Sequence, residues 1–281
     1  MTNIFSRWFG KKPDNAPVRD VAAPAGPLAA PAVHIVKTKS PSLSHFDGLP
    51  NLPPEFHWPE HKGRKLGFVA RLSLSEIQRA NRIEWLPSRG ALLFFYDMEE
   101  QPWGYDPKDR GSSVVLLAPD LPAPISQQGV QPDGRASPLS QRNIAFRRID
   151  VLPSLERNSV RDLELSERES DLFSELTDVA FSGEPKHQIA GFPAPIQGDD
   201  MELECQLVTN GVYCGDSKGH NDERAELLKP GAMNWRLLLQ VDSDDALDVM
   251  WGDAGVIYYW VEEHAAREGR FENTWLILQC H

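Results

Sequence analysis

The chain has 281 residues, of which 41% are hydrophobic and 25% are charged, so it can bury a core and is not a globally disordered protein. Forty-one acidic against 29 basic residues give a formal net charge of -12, which disfavours non-specific binding to nucleic acid phosphates. The longest apolar stretches, such as residues 91–96 and 256–261, have strand length and are far shorter than the roughly 20 residues of a spanning helix, so we expect no membrane insertion.

Cysteine usage indicates the compartment. The chain has three cysteines and no C-x-x-C pair, which is too few for a disulfide framework. We therefore expect a cytoplasmic protein whose cysteines lie in the core. No secretory signal is evident, because residues 1–18 lack a continuous apolar segment.

Residues 1–40 differ from the rest of the chain in composition. They contain five prolines and seven alanines, and their six basic and two acidic residues give a net charge of +4, which leaves -16 on residues 41–281. Such a segment buries too little apolar surface to offset its ordering entropy. We predict a disordered tail over residues 1–40 and one globular domain over residues 41–281.

Short strands separated by turn residues dominate the first part of the domain. Residues 66–72 predict a strand, and the sequence S-L-S-E at residues 73–76 predicts a helix that begins with a capping box. Residues 91–96 form an apolar, aromatic run typical of a strand buried on both faces. Further strands are predicted at residues 114–117 and 144–152, and a second capping box, Ser166 with Glu169, predicts a helix.

The C-terminal third follows the same pattern. Strands are predicted at residues 235–241, 256–261 and 273–280, a helix at residues 262–270, and a strand-like run around Cys205. Residues 235–241 resemble residues 66–72 at an offset of 169, and residues 255–261 resemble residues 90–96 at an offset of 165. These offsets predict two pseudo-repeat lobes, at about residues 44–152 and 187–281, joined by a helical segment; chance recurrence of strand-like segments is the alternative.

Several strings carry a resemblance to a known family. They are GLPNLPPEFHWP at residues 48–59, HQIAGFPAPIQGDDMELECQLVTNG at 187–211, WRLLLQVDSDD at 235–245, VMWGDAGVIYYW at 249–260 and RFENTWLILQC at 270–280. Over residues 44–280 the chain resembles the YwqG-like family of uncharacterised bacterial proteins. The resemblance implies a mainly β architecture, with antiparallel, roll-like sheets and a few peripheral helices, and it implies no reaction.

Carboxylates crowd two of these strings. Converging carboxylates could bind Ca²⁺ or Mg²⁺, although the spacing is not that of an EF-hand loop. The alternative is a polar strand end whose short side chains cap the next turn. The predicted metal ligands are Asp199, Asp200, Asp242, Asp244 and Asp253.

The string W-G-D-A-G at residues 251–255 is the most unusual. Two glycines around Asp253 predict a tight turn with free backbone amides, and Trp251 could cover a cleft. Together with Gln197 and Asp216, these two residues form the predicted ligand or partner cleft. A turn with a purely structural role is the alternative.

Two hypotheses about function follow. The first is a noncatalytic interaction module without a cofactor, whose acidic face binds a cationic protein partner such as a basic toxin. The second is a metal-assisted hydrolase that uses the carboxylate cluster. The sequence has no P-loop, no G-x-G-x-x-G and no G-x-S-x-G motif, so nucleotide binding and a nucleophile elbow have no support.

Overall fold

The computed structural model describes residues 20–50, 56–120 and 141–281. The strands in these ranges are β1 (Ala30–Lys37), β2 (His45–Phe46), β3 (Glu60–His61), β4 (Arg64–Lys65), β5 (Gly67–Ser73), β6 (Ala91–Tyr96), β7 (Ser113–Ala118), β8 (Arg142–Val151), β9 (Gln188–Ile189), β10 (Trp235–Asp242), β11 (Val256–Glu262) and β12 (Trp275–Gln279). The helices are α1 (Ala22–Ala25), α2 (Leu74–Ala80), α3 (Asn158–Arg161), α4 (Glu167–Val179), α5 (Met201–Thr209), α6 (Ser217–His220), α7 (Ala225–Leu228) and α8 (Glu263–Arg267).

Ten of these strands form one large antiparallel, nearly closed, barrel-like sheet. Its order is β12-β11-β10-β9-β1-β8-β2-β5-β6-β7, and β3 and β4 pair separately. The fold class predicted from the sequence, a mainly β protein with antiparallel sheets and a few helices, is confirmed. No helix in the described ranges is long and apolar enough to cross a membrane.

The centre of the sheet contains a segment that we predicted to be disordered. β1 pairs with β8 over its whole length, from Ala30 with Val151 to Lys37 with Ile144, and with β9 through Val33 and His34. The prediction of a disordered tail is therefore wrong for residues 30–37, and residues 1–19 lie outside the described ranges. The composition averaged over forty residues hid a short β-branched run, which pairs with β8 on one side and β9 on the other and is buried in its central residues.

The inner faces of the two ends of the sheet pack against each other. The rings of Phe94 on β6 and Tyr259 on β11 lie 5.1 Å apart, and the Tyr259 hydroxyl donates to the Phe95 carbonyl at 3.1 Å. The segment between β6 and β7 also reaches β12, because Leu278 N donates to the Trp103 carbonyl at 3.0 Å. These contacts curl the sheet and bring its two edges together around one shared core.

The two sides of the sheet repeat one strand register. We call β2, β5, β6 and β7 the N-terminal side, and β9, β10, β11 and β12 the C-terminal side. β5 shifts register between Phe68 and Ala70, and β10 shifts between Leu237 and Leu239, at an offset of 169. The residues that pair with them are offset by 165, since Phe95 and Phe94 on β6 correspond to Trp260 and Tyr259 on β11. These are the two offsets found in the sequence, and they support the proposal of an internal duplication.

The central strands change the boundaries of that repeat. β9 pairs with Val33 and His34 of β1, and β2 pairs with Arg142 and Asn143 of β8, so β1 and β8 occupy corresponding places. Each side of the sheet therefore pairs with the first strand of the other repeat. We infer repeats that start at β1 and β8, before the starts at residues 44 and 187 predicted from the sequence.

The two predicted capping boxes have different outcomes. Ser166 accepts from Glu169 N and the Glu169 carboxylate accepts from Ser166 N, so α4 begins with a complete capping box. α2 also begins as predicted, after Ser73, but its capping box is absent. The Glu76 carboxylate instead accepts from Leu43 N at 3.1 Å and from the Ser44 hydroxyl at 2.6 Å. It therefore binds the segment before β2 and not the start of its own helix. The run around Cys205, predicted as a strand, is α5.

Candidate functional site

A proline-rich loop on the outer face of the C-terminal side organises the site. We call residues 192–198, with the sequence FPAPIQG, the anchored loop. Its two prolines have no amide hydrogen to donate, so the amide that follows each proline donates instead. Ala194 N donates to Gln240 Oε1 at 2.9 Å, and Ile196 N donates to Gln279 Oε1 at 2.8 Å.

Four neighbouring strands bind this loop. Gln188 Nε2 on β9 donates to the Phe192 carbonyl at 2.7 Å. Tyr258 on β11 donates its hydroxyl to the Ala194 carbonyl at 2.7 Å, and Gln279 Nε2 on β12 donates to the Gly198 carbonyl at 2.9 Å. With Gln240 on β10, the three glutamines are essentially inaccessible to solvent. Their amides satisfy the backbone of a loop that would otherwise lie unpaired on an apolar sheet.

A large groove lies on one side of the anchored loop. It has a volume of about 960 Å³, and its aromatic walls are Trp85, Phe192, Trp235 and Trp260. We call it the tryptophan groove. The indole Nε1 of Trp260 is buried and has no hydrogen-bond partner among the described residues. A buried N–H without a partner costs free energy and is uncommon in folded proteins, so this indole is an unusual feature of the groove wall.

Arg157 binds two of the acidic side chains that line the tryptophan groove. Its guanidinium donates to Asp199 at 2.6 and 2.5 Å and to Glu202 at 2.9 Å, and it lies over the Phe192 ring at 5.1 Å. Burial raises the pKa of Glu202, while Arg157 opposes that rise. Both carboxylates therefore serve an internal ion-pair network.

The rim of the tryptophan groove carries both paired charges and charges that have no partner among the described residues. Arg236 and Arg267 both pair with Glu263 at 2.7 Å. By contrast, the side chains of Arg82, Glu84, Arg161 and Asp200 are exposed and have no ion-pair partner in the described ranges. The groove as a whole is lined by six basic and six acidic residues, so it is mixed in charge rather than acidic.

One comparison with known proteins identifies the chain. A family model described as Domain of unknown function (DUF1963) matches residues 44–280. The chain belongs to this family. No curated protein matches the sequence. The family match covers the anchored loop and its three glutamines, whereas β1, at the centre of the sheet, precedes the matched range.

The predicted metal ligands of this family member do not form one group. No set of three or more His, Cys, Asp or Glu side chains that could hold a metal ion occurs in the described ranges. Asp199 is bound by Arg157, and Asp242 accepts from Lys186 N at 2.9 Å. The described residues therefore do not assemble the predicted metal site, because Asp199, Asp242 and Asp244 each bind a different partner, while Asp200 and Asp253 are exposed.

Asp244 illustrates the structural use of these carboxylates. His187 Nε2 lies 3.3 Å from its Oδ2, and Lys37 Nζ on β1 lies 3.0 Å from the same oxygen. The hydrogen bond from His187, together with Lys37, holds the pKa of Asp244 well below its ordinary value. Asp244 also accepts from Ala246 N at 2.8 Å, which agrees with the turn-capping alternative.

The predicted cleft is not assembled either. Trp251 is a core residue, 2% exposed, with its ring 6.0 Å from that of Tyr96, so it covers no cleft. Gln197 donates to the Cys280 carbonyl at 2.7 Å, and Asp216 caps α6 by accepting from Lys218 N. Asp253 is exposed. None of the four lines the tryptophan groove.

The residues that build the observed site were missed in the sequence. A signal was present, since Gln188, Gln240 and Gln279 each lie in or at the end of an otherwise apolar strand. A polar residue in such a run needs a buried partner. The sequence does not say that all three partners are in one loop.

Proposed function

We propose that the protein is a noncatalytic interaction module that binds a segment of a cationic partner protein in the tryptophan groove. The observation that carries this proposal is the set of rim charges of both signs that have no partner in the described part of the chain, beside a buried indole N–H that also has none there. Indole side chains are enriched at the energetic centres of protein interfaces, and charged rims set specificity.

The charge of the groove lining favours a polypeptide over a metabolite. A volume of about 960 Å³ lies at the upper end of the roughly 300–1,000 Å³ range of small-molecule pockets, which are mostly apolar. Here 12 of the 27 lining residues are charged. The net charge of -12 on the whole chain would steer a basic partner toward the protein. Glu84 and Asp200 would then pair with cationic side chains of that partner.

A matched pair of charge-reversal variants tests the proposal. We would select binders from a displayed library of random peptides and measure their affinity by fluorescence polarisation at low and physiological ionic strength. Glu84→Arg with Asp200→Arg is expected to weaken binding at least about tenfold, because two attractive contacts become repulsive.

The control is Glu175→Arg with Asp253→Arg. These residues are exposed, lie outside the groove and give the same change in net charge, so the control isolates the local contribution from long-range steering. Equal loss in both variants would place the binding outside the groove, and a library without enriched peptides would count against the module itself.

The remaining parts of the sequence interpretation belong to the same proposal. The strings at residues 187–211 and 249–260 suggest that the family member is YwqG-like and bacterial. Three free, buried cysteines are in keeping with a reducing cytoplasm. Partner neutralisation, such as binding of a basic toxin, would follow from the charge complementarity. No observation favours the metal-assisted hydrolase, so we do not propose it.

A further inference from the structure

A second cavity lies on the other side of the anchored loop. It has a volume of about 270 Å³ and is enclosed by the loop, α4 and the segment that follows β8. We call it the α4 cavity. Its walls are mainly apolar, and the side chains that provide them include Leu152, Leu155, Phe173, Phe181, Phe192 and Ile196.

The charged side chains in the α4 cavity already have partners. Lys186 pairs with Asp178 at 2.7 Å, and Glu156 Oε2 accepts from Asp199 N at 3.1 Å. The hydroxyls of Ser174 and Thr177 donate to carbonyls of α4. A ligand of this cavity therefore needs no charge of its own.

Among the polar side chains that line the α4 cavity, Gln188 differs because one of its two polar atoms has no partner in the described part of the chain. Its Nε2 donates to two carbonyls, those of Ala190 at 3.0 Å and Phe192 at 2.7 Å, and this arrangement fixes the orientation of the amide. Its Oε1 is buried and has no partner among the described residues. Flipping the amide would set an oxygen against two carbonyl oxygens, so the free group is an acceptor.

We propose that the α4 cavity binds a small, uncharged, largely apolar ligand that donates one N–H or O–H hydrogen bond to Gln188 Oε1. The volume is just below the range of roughly 300–1,000 Å³ typical of drug-sized ligands, which corresponds to a ligand with one ring system. The apolar walls supply affinity, and the buried acceptor selects ligands with a donor, because a ligand without one leaves Oε1 unpaired. This site is separate from the proposed function of the tryptophan groove.

Indole and benzothiophene form a matched pair of probes. Both are flat, apolar bicycles, and indole alone carries an N–H. We would titrate the full chain with each probe and record heteronuclear NMR spectra, including the side-chain amide of Gln188. Indole is expected to bind about tenfold more tightly and to shift the Gln188 amide signals. Equal affinities, or no binding of either probe, would overturn the proposal; in the latter case the acceptor serves only an ordered water.

A cavity-filling variant locates the binding. Thr177→Phe on α4 places a ring in the cavity and is expected to abolish indole binding. Glu175→Phe on the same helix is the control, since Glu175 is exposed and does not line the cavity. Retained binding in Thr177→Phe would place the indole elsewhere and contradict the proposal. The groove variant Glu84→Arg with Asp200→Arg should leave indole binding unchanged, so the two proposals fail separately.

Discussion

The N-terminal and C-terminal sides of the sheet share a backbone and differ in what covers them. Following the strand register, His45 corresponds to Gln188, Arg71 to Gln240, Leu93 to Tyr258 and Ala118 to Gln279. Leu93 and Ala118 belong to an apolar cluster on the outer face of the N-terminal side, with Trp58 packed against it. The corresponding C-terminal positions bind the anchored loop.

This difference shows what the repeated register does and does not fix. Paired strands and their bulges position outward-facing residues identically on both sides. Those residues then decide whether the face is closed by apolar contacts or holds a polar loop. The tryptophan groove and the α4 cavity are both lined by the anchored loop, so the candidate sites occur on the C-terminal side.

The largest expected effect comes from removing one loop anchor. Gln240→Leu deprives Ala194 N of its acceptor and the Lys186 carbonyl of its donor, and we expect a loss of about 2–4 kcal/mol in the free energy of unfolding. Urea denaturation measures the loss, and amide hydrogen exchange should show faster exchange at Ala194. Arg71→Leu, at the corresponding position, should leave that exchange unchanged; an equal acceleration would contradict the distinction between the two sides.

The pH dependence of the free energy of unfolding tests the environment of His45, a buried residue on the N-terminal side. Burial lowers the pKa of His45 to about 4, below the ordinary 6.5, so the unfolded chain takes up this proton first as the pH falls. The stabilisation is present above pH 6.5 and is lost toward pH 4. His45→Gln, which introduces the residue of the corresponding position, should remove about 1–3 kcal/mol of that pH dependence.

Thermal and urea unfolding of both proteins between pH 7 and pH 4 check this expectation. Parallel stability curves for the wild type and His45→Gln would show that His45 does not titrate as its burial requires.

Glu204, on the C-terminal side, should lower the free energy of unfolding as the pH rises, whereas His45 lowers it as the pH falls. Burial, with Asp200 and Glu202 nearby, raises the pKa of Glu204 to about 7. The folded state then holds the proton more tightly, so this residue lowers stability as the pH rises from about 4.5 to 7. Glu204→Gln should be about 1–2 kcal/mol more stable than the wild type at pH 8 and nearly equal to it at pH 4.5. A constant difference across this range would refute the assignment.

The smallest expected effect is the loss of stability when the serine at the start of a helix is removed, compared between α4 and α2. Ser166→Ala removes the complete capping box of α4 and should cost about 1 kcal/mol. Ser73→Ala at α2 should cost less, because the Ser73 hydroxyl contacts the Ser75 hydroxyl and caps no amide. Chemical denaturation of both variants decides the order, and a greater loss in Ser73→Ala would reverse it.

Much of the fold could be predicted from local sequence. The strand at residues 91–96 was predicted with its observed bounds, and the helix after Ser166 began where its capping box placed it. Burial of Cys205 and Cys214 also follows from residue type, and it raises the pKa of the Cys214 thiol to about 12. These features depend on neighbours within a few residues, so periodicity and end signals suffice.

The candidate site could not be predicted in the same way. Asp199 and Asp244 looked equivalent as members of acidic runs, yet one binds Arg157 and the other binds Lys37, 207 residues away. Glu76 had the spacing of a capping residue and binds residues 42–44. In each case a long-range partner decides the role, and no local pattern encodes it.

The sequence by itself determined seven of the strands, β5 to β8 and β10 to β12, the principal helix α4 and the two offsets of 169 and 165 that the strand register repeats. Only the tertiary structure decided that β1 lies at the centre of the sheet and that three glutamines meet one loop. The physical reason is that hydrophobic periodicity is a property of single elements, whereas pairing of buried polar groups depends on which elements become neighbours.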